Sequence, residues 1–183
     1  MNSVQLDENS TSKKLFALCK DEGKVSVKTF PRAMRNKSVQ DPDVVDRFLK
    51  SNESLVTTDH RMPIKQAAKI PNFHAGIIIV RNNGPHTQRE KDILEVLRTF
   101  KDRMPKWEDL NWSNSIVELY QDRVEIYSIR DSAPSAPTVI NFDDADFVAS
   151  LQRVLAENAT CQIPTRPLLG PNSVNPPAAP GVI

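Results

Sequence analysis

Three aspartates set against short apolar runs carry the chemistry this chain offers. Asp7 follows Val4-Gln-Leu6 and is itself followed by Glu8; Asp59 follows Leu55-Val-Thr57-Thr58; Asp41 opens the amphipathic stretch that leads into that second run. Carboxylates gathered at one point repel one another unless a hard divalent cation lies among them, and Mg²⁺ or Mn²⁺ takes oxygen ligands of this kind. A cation so held activates water and neutralises charge on a scissile phosphate. The same residue types also cap helices, and Asp41, Asn9, Asp43 and Asp46 fit caps or a solvated helix face equally well.

The acids can meet only if the chain forms a sheet that brings them to one edge. Ser3–Leu6 alternates as a short strand, Asn9–Ser12 supplies N-cap oxygens for a helix over Lys13–Lys20, and Gly23 stops it. Lys24–Phe30 alternates strictly as a second strand. Asp41-Pro42 begins a helix with Val44, Val45, Phe48 and Leu49 on one face, and Ser54–Thr58 is a third strand. Ile64–Lys69 reads as a short basic helical turn. Ala75–Val80 is apolar almost throughout, as a strand covered on both faces must be. Ile93, Leu94, Val96, Leu97 and Phe100 then recur at helical spacing within 87–103. Strands alternating with helices predict an α/β fold with a mostly parallel central sheet. Right-handed crossovers put all the strand carboxyl ends on one edge, where ligands bind.

The rest of the chain has a different character. Trp107–Trp112 reads as a polar, aromatic connector. Ser115–Tyr120 and Arg123–Ile129 flank Gln121-Asp122 as a β-hairpin. Asp143–Asp146 reads as an acidic cap and first turn for a helix carrying Phe147, Val148, Leu151, Val154 and Leu155. Prolines crowd the chain from Ile163 onward. The expected organisation is an α/β domain over 1–104, a hairpin-helix extension over 105–162 that packs on the domain or serves a homodimer, and a flexible proline-rich tail over 163–183.

Composition excludes several classes. The first 104 residues hold 19 Lys/Arg against 13 Asp/Glu and the last 79 hold 5 against 10, a basic front that suits an anionic partner and an acidic back. No apolar run is long enough to span a bilayer and no secretory leader begins the chain, so a cytoplasmic protein without membrane association is expected. Cys19 and Cys161 have no metal-type spacing, and five glycines in 183 residues form no phosphate loop. Lys13, Lys14, Arg61, Lys65 and Lys69 are the basic residues nearest the proposed site and suit phosphate contacts; each also suits a solvated face.

Val4-Gln-Leu-Asp7-Glu8-Asn9, Asp41, Leu55-Val-Thr57-Thr-Asp59 and His74-Ala-Gly-Ile-Ile-Ile-Val-Arg81, in this order and spacing, resemble the short bacterial PIN-like nuclease domains related to toxin ribonucleases. The resemblance spans about residues 3–104. It implies a three-layer sandwich of helices around a parallel sheet, Mg²⁺- or Mn²⁺-dependent cleavage of RNA, and an antitoxin-like protein partner. Carried over, Asp7, Asp41 and Asp59 are the metal-binding and catalytic acids, with Glu8 and Asp43 beside them and Thr57 as an orienting hydroxyl. Lys13, Lys14, Arg61 and Lys65 are the RNA-binding residues. Such domains continue after the last acid with a charged residue, an acid and a phenylalanine; here stand His60-Arg61-Met62-Pro63, with Asn82 or Asn83 as the nearest substitutes.

Leu55–Pro63 is similar also to the phosphoacceptor strand of two-component receiver domains, with Asp7-Glu8 as the Mg²⁺ pair and Asp59 as the phosphorylated residue. That pattern asks for Ser or Thr ending the next strand and Lys ending the one after. The chain has Arg81-Asn82-Asn83 and no such Lys. A PIN-like module that binds RNA or protein without cutting is a third expectation.

Overall fold

The computed structural model describes residues 3–6, 26–29, 41–51, 53–71, 73–81, 89–104 and 106–160. The expectations for Lys13–Lys20, Cys19, Asn82, Asn83, Cys161 and the proline-rich tail lie outside them, as do Asp7, Glu8, Lys13 and Lys14. Strands β1 (Ser3–Leu6), β2 (Ser26–Thr29), β3 (Ser54–Thr57), β4 (Ile77–Val80), β5 (Ile116–Leu119), β6 (Arg123–Tyr127) and β9 (Thr138–Asn141) form one sheet in the order β2-β1-β3-β4-β5-β6-β9. The first five are parallel, and β6 and β9 are each antiparallel to their neighbour. Strands β7 (Ile129–Arg130) and β8 (Ala133–Pro134) make a separate small hairpin.

The sheet exists because β3, β4 and β5 are buried along their whole lengths. Alternate residues of an extended chain face opposite ways, so apolar residues at every position need a cover on each side. Leu55, Ile77, Ile79 and Ile116 pack against Val44, Val45 and Phe48 of α1 (Asp41–Ser51) and Met62 of α2 (Met62–Lys65). Val56, Ile78, Val80, Val117 and Leu119 pack against Ile93, Leu94, Val96 and Phe100 of α3 (Arg89–Arg103) and Leu151 and Leu155 of α4 (Phe147–Thr160). The α/β class and mostly parallel sheet expected from the alternation are present, with helices on both faces.

The second half of the chain is woven into the same sheet. β5 pairs with β4 over four registers, from Ile77↔Ile116 to Val80↔Leu119, and Val124, Ile126 and Ile140 join the α3–α4 core. Trp112 is no part of a polar connector: it is 2 % exposed, lies 6.1 Å from the Phe100 ring, and donates its Nε1–H to the Trp107 carbonyl across the 3₁₀ turn Trp107–Asp109. Indole burial with its one donor satisfied outweighs the polar neighbours. The acids Asp143–Asp146 precede α4, whose first turn holds none. Asp144 instead accepts the Asn141 N–H at Oδ2 (2.9 Å) and returns its own N–H to the Asn141 carbonyl, closing the end of β9. Val148 is 40 % exposed, off the core face that Phe147, Leu151 and Leu155 make.

The loop before β4 is fixed by a buried histidine. His74 packs edge-on against Phe48, its N–H donates to Asn114 Oδ1 and its Nδ1 accepts the Gly76 N–H, both at 3.1 Å. Gly76 has φ +100°, and a Cβ there would collide with the Trp112 carbonyl, so only glycine fits. Burial pushes the His74 imidazole down from 6.5 to about 4. Its folded value lies below its unfolded one, so the stability that comes from keeping it neutral is complete above pH 6.5 and is lost as pH falls through the window down to about 4. Urea unfolding at pH 7.5 and pH 4 is expected to show a loss of about 3 kcal/mol from this group. His74→Gln, which retains an acceptor for Gly76, removes most of that loss; an unchanged pH dependence in this variant would assign the effect elsewhere.

Candidate functional site

Strand order reverses direction once, between β1 and β3: β2 lies to one side of this pair and β4 and β5 to the other. At such a switch point the loops leaving two parallel strands diverge and open a crevice. Leu6, the last residue of β1, is in register with Val56, one residue before the end of β3. The chain therefore leaves β1 toward Asp7 and β3 toward Asp59 at adjacent points of one edge.

Asp59 is held by a turn written into its own sequence. Its N–H donates to Thr57 Oγ1 (3.0 Å), and its Oδ1 accepts the Arg61 N–H (2.9 Å). Thr and Asp side chains that bond the backbone two residues on make compact turns without glycine. Thr57 is 1 % exposed, so the first of these bonds is anchored in the sheet, while Asp59 is half-buried. Thr57 thus holds the Asp59 backbone at the end of β3. Asp41 is the first residue of α1, which ends just before β3 begins and packs on the β3–β4 face. Eleven residues of helix rise about 15 Å, which returns Asp41 to the carboxyl edge. Its side chain, like Asp7 and Glu8, lies outside the described residues. Among the described residues no group of three or more His, Cys, Asp or Glu could hold a metal ion. The donor set therefore depends on Asp7, Glu8 and Asp41 joining Asp59; all are hard oxygen donors, which fits Mg²⁺ or Mn²⁺.

Arg61, Lys65 and Lys69 are exposed on the segment that follows Asp59, and Asp43 is exposed on α1. His60 is half-buried in the turn. Burial lowers its pKa first, then the positive charge of Arg81, while Glu118 and Asp59 oppose the shift. The charged groups beside it thus include one that the sequence reading passed over.

Glu118 is 8 % exposed in β5 and accepts hydrogen bonds from Tyr127 Oη at Oε1 (3.2 Å) and Tyr120 Oη at Oε2 (3.0 Å), with Arg81 Nη1 3.4 Å from Oε2. Glu125, its cross-strand partner, pairs with Arg123 Nε at 2.8 Å. The Arg81 and Arg123 guanidinium carbons stand 5.3 and 4.1 Å from the Tyr120 ring centre, in the range of cation–π attraction. Burial, and then the Glu118 charge, pushes the Tyr120 hydroxyl up to about 12 and the Tyr127 hydroxyl higher still. Both therefore stay protonated and donating. The signal was present in the hairpin alternation: Glu118 and Tyr120 alternate onto one face of the sheet, and Arg123, Glu125 and Tyr127 of the neighbouring strand share that face. Because three donors already engage it, Glu118 serves as the anchor that sets Arg81 at the end of β4.

The fold is that of an α/β protein whose mostly parallel sheet changes direction between β1 and β3, with Asp59 just past the end of β3. Comparison of the chain with protein-family models, with curated proteins and with solved structures finds no match in any of the three. Among the described residues no helix is long and apolar enough to cross a membrane.

The Glu118 anchor predicts a structural cost. Glu118→Ala leaves the buried Tyr127 hydroxyl and the half-buried Arg81 guanidinium without their acceptor, while Tyr120 keeps Glu125 Oε2 at 3.4 Å, and is expected to lower unfolding free energy by roughly 3 kcal/mol. Tyr127→Phe, which removes one donor only, costs about 1 kcal/mol. Urea titrations of the two variants check the order; equal effects would show that the carboxylate is not the hub.

Proposed function

We propose that the chain is a metal-dependent ribonuclease with a three-layer PIN-like sandwich, and that Asp7, Asp41 and Asp59, with Glu8, are its metal-binding acids. The observation that carries this reading is the register of β1 with β3, which directs the chain segments after both strands to the one switch point of the sheet. The start of α1 at Asp41 on the same edge and the Thr57–Asp59–Arg61 turn support it. A bound Mg²⁺ or Mn²⁺ would supply water activation and charge neutralisation. The chain's own residues do the rest. Thr57 holds the Asp59 backbone, the Arg61 N–H fixes one Asp59 oxygen, and the exposed Arg61 two residues on is suited to meet a phosphate. His60, its pKa lowered by burial and by Arg81, is suited to accept a proton at the same edge.

A fluorogenic RNA assay tests the reading. Cleavage is expected with Mg²⁺ or Mn²⁺, to vanish in EDTA, and to fall about 100-fold or more in Asp59→Asn, the order seen when one transition-state stabiliser is removed. Cleavage that survives both EDTA and the mutation overturns the metal-carboxylate mechanism.

One observation favours a second reading. The order β2-β1-β3-β4-β5 is that of the flavodoxin-like sheets to which receiver domains belong. Acetyl phosphate labelling lost in Asp59→Asn would support a phosphoacceptor role. Val80-Arg81 and Leu119-Tyr120, where that pattern wants a hydroxyl and a lysine, argue against it. RNA binding without cleavage in either metal would instead mark a module that has lost its chemistry, for which an antitoxin-like partner or a homodimer remains part of the same proposal.

A further inference from the structure

We infer that the segment after Asp59 carries a track for a single polynucleotide strand, in which Arg61, Lys65 and Lys69 hold phosphates and Phe73 stacks a base. The inference rests on the ribonuclease reading for its direction and goes beyond it in naming a subsite.

Backbone hydrogen bonds Lys65→Arg61, Gln66→Met62, Ala67→Ile64, Lys69→Gln66 and Ile70→Gln66 continue helical turns past α2 as far as Ile70. Met62, Pro63, Ala67 and Ile70 are buried against the sheet, which leaves 61, 65 and 69 on the outer side. Lys65 lies one turn above Arg61, about 6 Å along the axis. Gln66 ends that turn with non-helical torsions, so Lys69 stands on a second turn and the three exposed cations form a broken row along one segment. None of the ion pairs among the described residues engages them, and no Asp or Glu occurs from His60 to Arg89. A cationic row of this length without counter-charges fits a polyanion.

The row is flanked by apolar surface of an unusual kind for a water-facing turn. Ile64 is 54 % exposed between Arg61 and Lys65, and Phe73 is 47 % exposed four residues beyond Lys69. An exposed aromatic face beside exposed cations is the pairing that single-strand binders use, because an unpaired base can turn out to stack while a duplex keeps its bases inside. An acidic peptide would satisfy the cations equally but has no need of Phe73. The track starts at the carboxyl edge beside Asp59 and ends just before β4 begins, on the amino edge, so it contacts the strand on one side of the scissile bond only.

Fluorescence anisotropy with an unstructured eight-nucleotide RNA, the full-length protein and EDTA separates binding from cleavage. Lys65→Gln with Lys69→Gln is expected to flatten the slope of log K against log salt by about 1.4, two single-strand phosphate contacts. Phe73→Ala is expected to weaken binding roughly tenfold with the slope unchanged. A duplex of equal length should compete at least about tenfold less well. Indifference to Phe73, equal binding of duplex, or displacement of the RNA by polyglutamate at equal charge concentration overturns the track, the last in favour of an acidic protein surface. The two readings fail separately: binding with these dependences but no cleavage in any metal removes the nuclease and keeps the track, and metal-dependent cleavage with indifferent binding does the reverse.

Discussion

Every position of β4 is apolar and buried, and that constraint organises the molecule. Ile77 and Ile79 look to one core and Ile78 and Val80 to the other, so the strand cannot lie at a surface or an edge. It needs strands on both sides and helices above and below, and the chain supplies them with β3 and β5 and with the helices that precede and follow. Burying four such side chains on both faces stabilises by several kcal/mol before entropy is counted. The polar residues are thereby pushed to the ends of the strands, where Thr57, Asp59, His60 and Arg81 sit.

The elements whose pattern spans both faces were legible in the sequence. The helix at Asp41 and the helix ending at Arg103 showed themselves through apolar residues at helical spacing, and β4 through its unbroken apolar run. The hairpin was equally plain. Its place was not: a strand reading says nothing about which neighbour the strand pairs with, and the parallel pairing of β5 with β4 depends on long-range packing through Val117, Leu119 and Trp112. Thr138-Val-Ile-Asn141 escaped notice because just one of its four residues, Ile140, is buried. The β7–β8 hairpin escaped because its turn, Asp131-Ser132, takes positive φ at 51° and 64° without glycine or asparagine. The acids of the edge were legible as candidates, since an acid after an apolar run is visible. Which strand ends lie side by side is a property of strand order, which no local pattern encodes.

The outer edge of the sheet shows how the same polar residues protect the fold. In β9 the pairing of Phe142 with Asp122, taken with the alternation of antiparallel bonding, turns the N–H and C=O of Val139 and Asn141 away from β6. Asp144 engages both groups of Asn141, and Pro137 has no N–H to offer. Only Val139 is left to present an open pair, too short a template for another strand to add. The acidic run therefore serves the sheet edge before it serves the helix that follows.

Asp59 and Glu118 are both carboxylates near one end of the sheet, and their partners decide their roles. Glu118 is nearly sealed and meets two hydroxyls and a guanidinium, so its charge is spent within the fold. Asp59 receives one backbone N–H at Oδ1 and stands half-buried, on a turn held by Thr57. A carboxylate whose neighbours fix its position while only one of its oxygens is bonded is suited to meet an incoming cation; one whose oxygens are both taken is not. By that criterion the acid missing from His60–Pro63 is not replaced by Glu118. What Glu118 provides instead is a fixed Arg81, the positive charge that most lowers the His60 pKa, so the hairpin acts on the edge through electrostatics rather than through a ligand.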